Sequence, residues 1–255
     1  MKKITLLLFL AISLFVNFSC EKTLPIEDVT DLELTFKGKF GNQTFLINDP
    51  SFTFNDMNIR FDQFNFYISN VVLVRETTGG QEETELIEID FVDLSFRPSE
   101  LDEAEAGVTI SVKNVPVGEY DGIKIGLGVP ADLNKNTWGD FGEGHPLRRV
   151  EHHWAAWESF IFSKTEASLD VDNDDAFTHK LSYHTGDDEA YKTKYAGKNI
   201  ALVKDELTSI TFDVDVKEIF DDVDVIQENG THNLSDIDLV KQIQGNLQNR
   251  VLSIQ

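Results

Sequence analysis

The sequence predicts an all-β protein: an antiparallel β-sandwich or barrel-like domain with one short C-terminal helix. Strand-like runs rich in β-branched and aromatic residues recur at short spacing along most of the chain, punctuated by Gly, Asn and Asp clusters. Convincing helical periodicity appears once, near the end. Many strands with few helices belong to sandwiches and barrels.

The elements follow in order. LELTFKGKF alternates apolar and polar residues and places Leu32, Leu34 and Phe36 on one face. FNFYISNVVLV, residues 64–74, reads as a central strand, and Thr77-Thr78-Gly79-Gly80 as the turn after it. ELIEIDFVDL, GVTISVKNV, YDGIKIGLGV, WESFIFSKTEASLDV, KNIALV and LTSITFDVDVKEIF supply further strands. RPSELDEAEAG, residues 97–107, is acidic and reads as a solvated loop. Ser235 is placed to cap the helix DIDLVKQIQGNLQNRV, in which Ile237, Val240, Ile243 and Leu247 recur at helical spacing and Gly245 weakens the second half.

The N-terminus predicts the compartment. Lys2 and Lys3 precede an apolar run that stops at Ser19-Cys20, the layout of a secretory signal too short to span a membrane comfortably. Cys20 is the one cysteine of the chain and stands where a bacterial lipoprotein signal places its acylated residue. The expected organisation is a lipoprotein signal peptide over 1–19, acylated Cys20 with a charged tether over 20–30, and a single β domain over 31–255. Acyl chains would tether that domain to a membrane of the cell envelope, facing the periplasm or the outside, without making it a membrane-spanning protein. The net charge of −23 excludes a nucleic-acid binder, which needs Lys and Arg against phosphate.

Five of the six histidines and all three tryptophans fall between Trp138 and His184. Histidine is the commonest metal ligand at neutral pH. In HHWAAWESFIF, strand alternation would put His152 and Trp154 on one face and His153 and Trp157 on the other. His145 in GHPL and His184 in YHTG lie in turn-like contexts from which each could converge on that face, with His153 and His179 in reserve. Imidazoles without cysteine suit copper, zinc or nickel alike. Other chemistry finds little support. HExxH is absent, DVDNDDAF lacks the glycine and final glutamate of a calcium loop, and no GxSxG elbow is present. No catalytic residue is assigned, and a binding protein is expected rather than an enzyme.

The same residues resemble the MbnP-like copper-binding proteins of bacterial periplasms and surfaces. FNFYISNVVLV looks like the family's aromatic-Y-I-S-N strand, and VPVGEYDGIKIGLGVPADLN like its V-P-x-G-x-Y segment with the glycine-rich strand that follows. GHPL is similar to its His-Pro-Leu turn, WAAWESFIFSKTEA to its W-x-W-x-x-G-Y-x-F-x-K-x-E-G block, and HTG to its later His-x-Gly; a C-terminal helix with Asn246 also fits. The resemblance implies an exported β-rich protein binding copper for capture, storage or handover. It implies too that Trp154, on the block's first tryptophan, is a candidate for oxidation to kynurenine by a dihaem partner of the cytochrome-peroxidase type. His145 and His184 fall on the family's histidines. The chain departs from the pattern at Ala156, in place of the second tryptophan, at Ser159 and Ala167, in place of glycines, and at His152, in place of methionine.

Two other classes compete on the residues. One is a non-metal β-sandwich lipoprotein that recognises a glycan or protein partner through its aromatic loops. The other is a zinc hydrolase, for which Glu151 and Glu158 are the nearby carboxylate bases.

Overall fold

The computed structural model describes residues 28–231 and 236–255. The signal over 1–19, Cys20, the tether to residue 27 and the expected cap Ser235 lie outside the described residues. The first half of the fold comprises β1 (Val29–Phe40), β2 (Gln43–Thr44), β3 (Phe52–Phe54), β4 (Met57–Thr77), β5 (Gly80–Asp93), α1 (Leu101–Ala106), β6 (Val108–Pro116) and β7 (Gly118–Leu127). After α2 (Ala131–Asn134) come β8 (His153–Trp154), β9 (Ser159–Asp170), β10 (His179–Gly186), β11 (Lys192–Leu202), β12 (Thr208–Asp215) and β13 (Gly230–Thr231). The chain closes with α3 (Ile237–Asn246) and β14 (Leu252–Ile254).

The strands form two stacked sheets. One has the order β14-β12-β1-β2 with β6 also on β1; the other has the order β11-β7-β4-β9-β10-β13 with β3 and β5 on β4 and β8 on β9. Inward-facing Leu34, Phe36 and Phe212 of the smaller sheet meet Phe61, Phe64 and Phe66 of the larger. Phe36 stacks on Phe212 at 5.1 Å and meets Phe66 edge-on at 6.2 Å. Each such buried phenylalanine contributes about 1.5–3 kcal/mol of transfer free energy.

β4 organises the larger sheet. Its 21 residues pair with β9 along residues 58–66, with β7 along 68–74 and with β5 along 65–77. Bulges interrupt the register and bend the strand, and at one of them Asn70 takes a left-handed φ of 44°, which asparagine tolerates better than most residues. Phe64, Phe66 and Ile68 enter the inter-sheet core; Asn65, Tyr67 and Ser69 therefore face the other way. That outer face is also covered. Tyr67, Phe91, Phe160 and Phe162 pack there beneath Val129 and Leu147 of the long β7–β9 connection and Val240 of α3. The buried polar residues of the outer face lie in this second, smaller core.

The sandwich expectation holds, and neither sheet closes into a barrel. Two pairings, β1–β12 and β10–β13, run parallel within an otherwise antiparallel arrangement. The stretch 97–107 is not a plain loop. Pro98 opens a 3-10 turn, Leu101–Ala106 is helical, and Gly107 at φ 83° ends it. α3 buries Val240 and Ile243 as its spacing requires, runs through Gly245 and passes into a π-helical turn over Leu247–Val251.

Candidate metal centre

Across β4, β9 and β10, Asn65, Lys164 and His184 lie directly opposite one another in register. Asn65 and Lys164 are buried, and Glu166 stands two residues beyond Lys164 on the same face. Polar side chains in such a row are tolerable only if something covers and satisfies them.

The cover is the segment from Pro146 to Ser159, held at three points along its length. Burial keeps the Tyr67 phenol protonated by raising its pKa, and its hydroxyl donates to the Pro146 carbonyl at 3.2 Å. The Lys164 ammonium donates to the Glu151 carbonyl at 2.7 Å. The Asn134 carbonyl oxygen accepts from the Ser159 hydroxyl at 3.1 Å and from the Phe160 amide at 2.8 Å.

Between these points the chain forms a 3-10 turn over Val150–His152, the two residues of β8, and a tight turn in which the Trp157 amide donates to the Trp154 carbonyl at 3.0 Å. Glu158 leaves the turn with a left-handed φ of 50°. The turn brings Trp154 and Trp157 together, stacked at 4.9 Å with 7° between the ring planes. Gly186 makes this possible, since a Cβ there would lie 2.8 Å from the Trp157 ring.

His152 is 2% exposed, edge-on to Phe91 and Tyr67. The Asn65 carbonyl oxygen lies 3.0 Å from its Nε2 and only accepts, so Nε2 carries the proton and Nδ1 carries the lone pair. Burial, reinforced by the charges of Lys164 and Arg149, lowers the His152 pKa to about 3, so the ring is neutral at physiological pH. Among the described residues, His152 Nδ1 and Asn65 Nδ2 have no hydrogen-bond partner. Buried polar atoms are rarely left so, and among the described residues Arg60 Nε, Trp157 Nε1 and Thr165 Oγ1 share this state. His152 Nδ1 lies 3.7 Å from a Glu151 carboxylate oxygen. Across β9 from Asn65, His184 Nε2 lies 2.8 Å from Glu166 Oε1, and its ring meets Trp154 edge-on at 5.9 Å.

A family model described as MbnP matches residues 29–236. The chain belongs to the MbnP family. Among solved structures it is similar to MbnP from Methylosinus trichosporium, with 11% identity, a TM-score of 0.47 and coverage of 75% of this chain and 78% of that one. No curated protein matches it.

In this MbnP-family chain, the structure gathers three of the residues singled out in the sequence and separates three others. His152, Trp154 and His184 surround the buried polar row. His145 stacks on Phe141 at 4.5 Å, and its Nδ1 accepts from the Leu147 amide at 3.1 Å, so that nitrogen is committed to its own turn. His153 packs edge-on against Phe160. His179 lies at the opposite end of β10 from His184, with its Nε2 3.0 Å from the Val225 carbonyl. Trp138 is 38% exposed beneath the Arg148 guanidinium.

The expected strand through HHWAAW is corrected. Only His153 and Trp154 are extended, and a turn rather than strand alternation sets the positions of Trp154 and Trp157. Asp170, in the calcium-loop-like stretch, accepts from Asp174 and Asp175 amides and from Asn58, an ordinary acidic turn. Among the described residues, no group of three or more His, Cys, Asp or Glu is arranged to hold a metal ion. Asn65 and Lys164 were not singled out in the sequence. Their signal was a polar residue on the outward parity of an otherwise apolar strand.

Proposed function

We propose that this MbnP-family protein is an exported lipoprotein, anchored through Cys20, that binds copper for capture or handover. His152 and His184 supply imidazole nitrogens, Trp154 walls the site, and no reaction is catalysed. One observation carries this reading above the others: a buried, neutral imidazole, oriented by Asn65, leaves a lone pair without a partner, with a second histidine across β9 from Asn65. A neutral nitrogen in an aromatic, water-poor setting suits a late transition metal, and family membership makes copper the first choice. Conversion of Trp154 to kynurenine would add an amine and a ketone next to His184. That oxidation would cleave the indole Cγ–Cδ1 double bond with two equivalents of peroxide, giving N-formylkynurenine and two waters; hydrolysis of the Cδ1–Nε1 bond then releases Cδ1 as formate, and the oxidation falls to a dihaem cytochrome-peroxidase-type partner.

The test is an anaerobic Cu(I) competition titration of the lipoprotein purified in detergent, beside the His152→Ala, His184→Ala double variant. Stoichiometric binding by the wild type that falls by on the order of a hundredfold or more in the variant is expected, since two ligands are lost. Absence of binding, both in the unmodified protein and in protein made with the oxidising partner, would overturn the reading. A surface module for a glycan or protein partner would then take its place.

A further inference from the structure

At one end of the sandwich β1 and β12 start and β6 and β11 finish. There the Val117 amide donates to the Asp28 carbonyl at 2.9 Å, and the Thr30 hydroxyl to the Glu206 carbonyl at 2.7 Å. The β11–β12 turn at this end carries Val203, 47% exposed, and Leu207, at 62% the most exposed large apolar residue among those described. Val29, 40% exposed, lines one hollow together with Leu207. Single exposed apolar residues are ordinary, but three gathered about one turn mark a contact surface.

The charges around these residues narrow what the surface can meet. Lys204 pairs with Asp28 at 2.6 Å and Lys113 with Asp31 at 2.7 Å, whereas Asp205 and Glu206 stay exposed. An apolar, mildly acidic end suits electroneutral lipid and is repelled by an anionic leaflet. Chain length supplies the occupant. From Cys20 to Asp28 the chain takes eight residue steps, at most about 29 Å when fully extended. A tether that short holds this end beside the bilayer at high effective concentration, so a weak contact suffices.

We propose that Val29, Val203 and Leu207 dock this end of the domain onto the electroneutral lipid surface that carries the chain's own acyl anchor. The inference rests on the Cys20 anchor of the reading above and is independent of the copper site. Docking sets an orientation. β7 leaves this end at Gly118, opposite Leu202, and reaches Leu127 opposite Ile68. Asn65 lies three residues farther along β4 in the same direction. About twelve residue steps of roughly 3.3 Å each put the polar row of Asn65, Lys164 and His184 about 40 Å from the docked end along the strands. The candidate metal centre is thereby held away from lipid.

Cys20 is the one cysteine of the chain, and acylation consumes its thiol, so an introduced cysteine takes a single dye. The experiment uses the acylated lipoprotein in phosphatidylcholine vesicles that contain a lipid with a nitroxide on its headgroup as quencher. A dye on Ala201→Cys, exposed at the end of β11, is compared with one on Asp172→Cys, exposed in the loop after β9 near the opposite end. Quenching is expected to be severalfold stronger at position 201. It should fall toward the position-172 level when Val203→Ser and Leu207→Ser are added, and weaken when phosphatidylglycerol is mixed into the vesicles. Equal quenching at the two positions, or a position-201 signal that the serine pair leaves unchanged, overturns the docking. Quenching that rises with phosphatidylglycerol overturns its apolar basis. A protein that does not float with the vesicles at all instead marks the failure of the anchor reading, and the docking inference falls with it.

Discussion

Acidification from about pH 7 to about pH 4.5 is expected to remove about 2–3 kcal/mol of folding stability through His152 alone. The unfolded chain takes up a proton on this residue near the ordinary histidine value of 6.5, whereas the folded ring resists protonation down to about 3. Because the folded pKa is the lower one, the contribution is complete above the unfolded value. It falls by about 1.4 kcal/mol per pH unit as the pH drops toward the folded value. Asp140 and Asp170, whose hydrogen bonds hold their pKa values low, add their own acid lability below this window. Urea unfolding at the two pH values, in wild type and in His152→Phe, isolates the effect. The variant fits the Tyr67–Phe91 pocket and is expected to lose much less stability on acidification; equal losses in the two proteins would contradict a neutral buried His152. A further consequence concerns metal entry. On the proposed copper reading, an ion binding Nδ1 at neutral pH would displace no proton from His152.

Gly186→Ala is expected to cost about 1–3 kcal/mol, the usual penalty of overpacking a well-filled site. Its Cβ would lie 2.8 Å from the Phe160 carbonyl oxygen and 2.8 Å from Trp157 Cε3. Neither neighbour yields easily: the first is strand backbone, and the second is wedged against Trp154. The variant should therefore disturb the stacked indoles, read as a change in near-ultraviolet circular dichroism and tryptophan emission, together with a lower midpoint in urea. Gly245→Ala is the contrasting case. It lies in α3 with open space around it, and alanine there is expected to stabilise by about 0.5–1 kcal/mol. Equal effects of the two substitutions would argue against the packing account of Gly186.

Strand existence was readable because alternation and turn chemistry are local. Leu32, Leu34 and Phe36 share a buried face as their spacing requires, and the Thr77–Gly80 turn joins β4 to β5. Pairing partners were not readable, since nothing in LELTFKGKF names LTSITFDVD as its parallel neighbour. The segment WAAWESFIF misled for a physical reason. Its aromatic and small residues suit a strand, but the turn is closed by Glu158 in a left-handed conformation where sequence patterns anticipate glycine or asparagine. The candidate site was half legible. His152, Trp154 and His184 stood out by residue type, whereas Asn65 and Lys164 acquire meaning only once the outer face of β4 and β9 is known to be covered.

That parallel pairing bears on how the chain acquires its structure. β1 rests against β12, and Thr30 bonds the Glu206 carbonyl 176 residues away. The smaller sheet thus cannot close until most of the polypeptide is available, whereas the β4–β5 hairpin can form from neighbouring residues at once. Such long loop closures place folding among the slow, milliseconds-to-seconds β topologies, with the local hairpin as the natural nucleus. On a nascent chain the first strand therefore waits for its parallel partner until Thr208–Asp215 has been made.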